Sequence, residues 1–132
     1  MTNDHSRPLM RTFLLAGTVN ALLAVALGAF GAHGLKDRLD EEMLDVYKTG
    51  VQYHMYHALG LLAVALVADK LRSASAVKWA GRLLLAGIVL FSGSLYVLAL
   101  TDLKWLGAIT PLGGVAFLAG WATLAVAAYK LR

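Results

Sequence analysis

Uncharged apolar runs alternate with short charged blocks along the whole chain, and the alternation predicts the architecture. Leu83–Leu100 carries no charge over 18 residues and Trp105–Tyr129 none over 25, with only Thr101-Asp102-Leu103-Lys104 between them. A helix of about 18 or more mostly apolar residues is long enough to cross a hydrocarbon layer about 30 Å thick. So short a link leaves room only for an antiparallel hairpin. Two further runs come first: Thr12–Ala32 (21 residues) and Thr49–Ala68 (20 residues). The pattern therefore predicts an all-α fold, an integral membrane four-helix up-down bundle. It forms one domain over residues 1–132, with spans at about 12–32, 50–68, 83–101 and 105–129.

The polar blocks differ from one another. In Leu35–Lys48, eight of fourteen residues are charged, while Leu35, Leu39, Met43 and Val46/Tyr47 recur at helical spacing. That predicts a short amphipathic helix lying at the interface between spans one and two. Asp40, just ahead of Glu41, suits a helix start. Asp69–Arg82 reads as a basic loop that turns at Ser73-Ala74-Ser75, with Trp79 at headgroup depth. Met1–Arg11 is a polar leader. With the run behind it, it has the outline of a signal peptide. The run is longer than the 7–15 apolar residues such segments use, and further spans follow it.

Small residues mark the packing faces. Gly17, Asn20/Ala21, Ala24, Gly28 and Gly31/Ala32 recur at three- and four-residue steps in span one. Gly113 and Gly120 give span four a small face beside an aromatic row, Gly114–Phe117–Trp121. In lipid, small residues let backbones approach and gain van der Waals contact. Asn20, near mid-membrane, is costly against acyl chains and should turn inward to a partner.

Composition agrees with a membrane solvent. The chain is 59% hydrophobic and 15% charged, with a mean hydropathy of +0.67. Soluble domains are nearer about 45–50% and about 25%. With no cysteine, disulfide and thiolate chemistry are excluded. The net charge of +4 matters less than its placement. The leader, the Asp69–Arg82 block and the tail share one side of a four-span bundle and hold eight basic against two acidic residues. The other side holds four against six. Basic residues favour the cytoplasmic side of short loops, so both termini are expected inside. The basic block is a topology signal; no nucleic-acid partner is implied.

With that orientation, polar side chains of all four spans fall towards the outer leaflet. They are His33, then Tyr53, His54 and His57, then Ser92, Ser94 and Tyr96, then Thr110 next to Pro111. Tyr53 and His57 share a helix face, as do Ser92 and Tyr96. Three uses compete. Such side chains hydrogen-bond between helices and hold a bundle, each pair worth about 0.6–2 kcal/mol. Alternatively, His33, Tyr53, His57, Ser92, Ser94, Tyr96 and Thr110 line a pocket for a lipid headgroup, a small solute or a proton path. A metal site would draw on His33, His54 and His57, with Met55 or Met43 as a softer ligand. No carboxylate shares the face and no HExxH is present, so neither a metal nor another cofactor is expected. Hydrolysis by Ser92-Gly93-Ser94 with His57 would need an acid, and only Asp102 is on offer.

Gly28-Ala29-Phe30-Gly31-Ala32-His33, Tyr53 with His57, Leu90-Phe91-Ser92-Gly93-Ser94-Leu95-Tyr96, Thr110-Pro111-Leu112-Gly113-Gly114 and Phe117-Leu118-Ala119-Gly120-Trp121 together resemble the YgdD-like family. These are small bacterial inner-membrane proteins of unknown function, with relatives among uncharacterised eukaryotic transmembrane proteins. The resemblance covers about Leu14–Tyr129; Met1–Met10 falls outside it. It includes His33 and His57 but not His54. It implies a multi-pass protein of the bacterial inner membrane and brings no activity or catalytic residue with it. The expected role is non-enzymatic, with membrane lipids as partners and an outer polar cluster that is structural or takes a small ligand. The alternative is a small transporter or channel subunit working as a homo-oligomer through its small faces. Against a polar path, Asn20 is nearly alone in the inner halves.

Overall fold

In a computed structural model that describes residues 6–131, the chain is all helical among those residues. The helices are α1 (Ser6–His33), α2 (Glu41–Val67), α3 (Ala74–Gly87), α4 (Gly93–Thr101) and α5 (Thr110–Tyr129). A single wide π turn, Ile88–Ser92, joins α3 to α4 without a break, so Ala74–Thr101 is one span. Four helices are long and apolar enough to cross a membrane: Ser6–His33, Glu41–Val67, Ala74–Thr101 and Lys104–Tyr129. The large apolar side chains they leave outside include Leu22, Leu66 and Leu118, each about two-thirds or more exposed (67%, 66% and 71%). Surfaces of that kind are stable against acyl chains and not against water.

The spans begin earlier than their apolar runs, for reasons of local chemistry. α1 starts at Ser6, within the expected leader, because Pro8 is tolerated in a first turn and Arg7 and Arg11 carry their charges outward on long stems. Asp4 and His5, with Arg132 of the tail, lie outside the described residues. The amphipathic segment Leu35–Lys48 does not form a helix of its own. Leu35–Leu39 makes a turn closed by bonds from the Arg38 and Leu39 N–H groups to the Leu35 carbonyl (3.0 and 3.1 Å). Asp40 then caps α2, its carboxylate accepting from the Met43 N–H at 2.7 Å. Glu41–Lys48 becomes the first two turns of the second span, its apolar residues Met43 and Tyr47 buried.

The basic block divides likewise. Only the stretch from Ala68 to Ser73 is a turn; Ser73 caps α3 by accepting from the Ala76 N–H (3.1 Å). Lys78, Trp79 and Arg82 ride the outer face of α3 while Val77, Ala80, Gly81 and Leu84 are buried. At the far end, Asp102 ends α4 in the left-handed region (φ 58°) and a 3₁₀ turn, Lys104–Ala108, leads into α5. The link is short, but the α-helical part of the fourth span starts at Thr110 and not at Trp105, because the 3₁₀ turn comes first.

α1 packs along α2, α5 packs along α3 and the π turn, and α2 joins the two pairs by packing on α4. Gly17, Ala24 and Gly31 are the buried small residues of α1. A methyl group on Gly31 would overlap the Tyr47 ring, which occupies that space. The largest core cluster gathers Phe13, Leu61, Val64, Val77, Leu84 and Phe117 towards the end where α1 starts and α5 stops. A smaller one, around Leu35, Tyr47 and Ala99, closes the opposite end.

Candidate functional site

Asn20 and His54 lie about half-way along α1 and α2, and their side chains meet. Asn20 Nδ2 donates to the Ala16 carbonyl (2.8 Å), which identifies its Oδ1 as the free acceptor. His54 Nε2 stands 2.9 Å from that oxygen and therefore carries the proton. His54 Nδ1, left as an acceptor, lies 2.9 Å from the Tyr96 hydroxyl, which donates to it. One neutral imidazole thus joins three helices with both ring nitrogens satisfied, and it is buried (4% exposed). The Tyr96 ring leans on Tyr47 (centroids 5.3 Å apart), whose hydroxyl donates to the Leu27 carbonyl of α1 at 2.5 Å.

His57, one turn further along α2, looks the other way. Its Nδ1 donates to the Tyr53 carbonyl (2.7 Å), so it holds the opposite tautomer. Its ring lies flat on Phe117 of α5, centroids 3.4 Å apart and planes 9° apart, with Trp121 at 5.9 Å. Tyr53 and Phe91 extend this aromatic group (4.6 Å). Ser94 of α4 and Thr110 of α5 share a hydrogen bond of 2.6 Å, and Ser94 also donates to the Phe91 carbonyl.

The expected cluster is therefore three separate groups. Ser94 pairs with Thr110, and Tyr53 stacks beside His57, whereas Tyr96 bonds to His54, a residue outside the expected set. Ser92 is fully buried in the π turn, and its hydroxyl has no partner among the described residues. His33 is exposed at the end of α1 and its side chain makes no hydrogen bond to a described residue; equal depth did not bring it to the others. Asn20 does find its inward partner. The signal that points to His54 is the buried stripe Tyr47, Gly50, His54, Ala58, Leu61, spaced by three and four. Among the described residues, no group of three or more His, Cys, Asp or Glu side chains converges to hold a metal. Neither of two surface cavities, of about 700 and 190 Å³, is lined by any of the seven expected residues.

Residues 27–114 match a family described as "Protein of unknown function (DUF423)". The chain is 60% identical over 121 residues to the UPF0382 membrane protein YwdK of Bacillus subtilis, covering 92% of this chain and 98% of that one. UPF0382 membrane proteins of Staphylococcus epidermidis and Staphylococcus saprophyticus are 50% and 48% identical, over 92% of this chain and 98% and 100% of theirs. No solved structure matches.

Proposed function

We propose, from the premise that this chain belongs to the DUF423 family of membrane proteins of unknown function, a non-enzymatic protein of the bacterial inner membrane. In this reading Asn20, His54 and Tyr96, with Ser94 and Thr110, lock four helices together. The observation that carries it is mutual pairing: Asn20, His54 and Tyr96 are hydrogen-bonded to one another in a chain, with the Asn20 amide also bonded to the backbone. A ligand site needs polar groups left over and a space to aim them into. A transport route through one chain would need polar groups beyond this tier, where Leu61, Val64, Val77 and Leu84 pack instead. The surplus of basic residues at the end bearing both termini supports a cytoplasmic position for them.

The test is thermal unfolding of the purified protein in lipid nanodiscs. Tyr96→Phe keeps the ring and removes only the hydroxyl. It should lower the melting temperature, as should His54→Gln. An unchanged melting temperature in both variants, with a phenotype in cells, would move the cluster from lock to ligand site.

A further inference from the structure

Beyond Gly120, where Leu84 still fills the gap between α3 and α5, a cavity of about 700 Å³ opens at the end of the bundle. Ala76 of α3 and Ala122 and Val126 of α5 form its apolar wall; Arg72 and Lys130 line it where the two helices end. Neither base forms an ion pair or hydrogen bond with a described residue. The neutral polar groups nearby are already used: Ser73 caps α3 and Thr123 donates to the Ala119 carbonyl. Asp69, the acid of the same turn, does not line the cavity. Among the described residues, the walls leave two positive charges unmatched above an apolar trough.

Its depth decides what fits. The cavity lies at the ends of the spans, the depth at which headgroups would stand against helices of this length. Tyr129 at its edge is 90% exposed, and Trp79 sits near that level on α3 with the Arg82 guanidinium 5.5 Å over its ring. Amphipathic aromatic and basic side chains of this kind mark the membrane–water boundary. A phosphate held between Arg72 and Lys130 would have its glycerol and first acyl carbons against the alanine and valine wall. A soluble anion would match the charges and leave the trough empty. The cavity at the other end, beside Gly28, Gly31 and Val51, is much smaller and has Lys48 as its only base.

We propose that this groove is a binding site for an anionic glycerophospholipid, one molecule per chain. The inference rests on the membrane placement and not on the polar lock, so its failure leaves the melting tests of Tyr96 and His54 untouched.

The experiment is native mass spectrometry and lipid titration of the purified full chain in neutral detergent. The probes are dioleoyl phosphatidylglycerol, dioleoyl phosphatidylcholine and inorganic phosphate. Wild type should retain one phosphatidylglycerol in preference to phosphatidylcholine. The variant R72Q/K130Q should bind phosphatidylglycerol about 30-fold more weakly, equivalent to about 2 kcal/mol for two bases at an anionic surface. Ala122→Phe, which fills the trough and keeps both charges, should weaken it as well, and K36Q/K48Q at the opposite end should not. Far-UV circular dichroism checks that each variant is folded. A phosphatidylglycerol preference that survives R72Q/K130Q overturns the proposal, as does an equal loss in K36Q/K48Q. Full competition by inorganic phosphate would assign the groove to a soluble anion and overturn it too.

Discussion

Where α2 meets α1 and α4, close packing at Gly17, Gly31 and Gly50 is joined by hydrogen bonds: Asn20 to His54 to Tyr96, with Tyr47 reaching back to the Leu27 carbonyl. Where α3 and the π turn meet α5, the contact is made by proximity. Gly113 lies against the Phe91 backbone, and Phe117 occupies the space a side chain at Gly87 would need. Both solutions answer one problem. Lipid tails are as apolar as leucine, so burying leucine between helices gains little, and the helices must find either polar partners or closer packing. The two devices fail differently. A hydrogen-bonded contact loses one partner at a time, each worth roughly 1 kcal/mol. A backbone contact tolerates no added atom, because neither main chain can move aside alone.

The largest effect is therefore expected at the tight contact. A Cβ on Gly113 would come within 2.7 Å of Phe91 Cα and nearer still to its nitrogen. Gly113→Ala should cost about 2–3 kcal/mol, the upper part of the range for overpacking. The neighbouring Gly114 has nothing within 4 Å of such an atom, so Gly114→Ala should be neutral or slightly stabilising. Unfolding both variants side by side in nanodiscs checks this, and equal losses would erase the distinction between the two faces. Next comes His54→Ala, which removes two bonds and should cost about 1–2 kcal/mol. Ser94→Ala breaks the Ser94–Thr110 bond and should cost about 0.6 kcal/mol by the same melts. The smallest change is Ser92→Ala. Its hydroxyl is buried without a described partner, so removing it should leave stability unchanged or raise it by up to about 1 kcal/mol. A clear loss on Ser92→Ala would mean that the π turn depends on that hydroxyl.

The four spans were legible in the sequence because every residue at mid-membrane must be uncharged, and that constraint leaves long marks. Their ends were less so. Arg11, Lys48, Lys78 and Arg82 interrupt a hydropathy run without interrupting a helix, since a long side chain reaches the headgroups from a turn or two inside. The site was half legible for a geometric reason. Sequence position gives depth along a span, which put His33, His57 and Tyr96 in one tier. Which residues touch is set by rotation, and three residues along a helix swing a side chain by about 60° and advance it by about 4.5 Å, enough here to change its partner helix. Hence His54 reaches α1 and α4, while His57 lies on Phe117 of α5. The π turn at Ile88–Ser92 further shifts the rotation of α4 relative to α3, and nothing in the run Ile88-Val89-Leu90-Phe91-Ser92 announces it.

The idea at stake is that polar side chains inside this bundle serve one another. A double-mutant cycle between Asn20 and His54, using Asn20→Ala, His54→Ala and the pair, measures it most directly in nanodisc unfolding. The expected coupling is about 0.6–1.7 kcal/mol, the range for hydrogen bonds between membrane helices. Losses that simply add, with no coupling between the two positions, would contradict it.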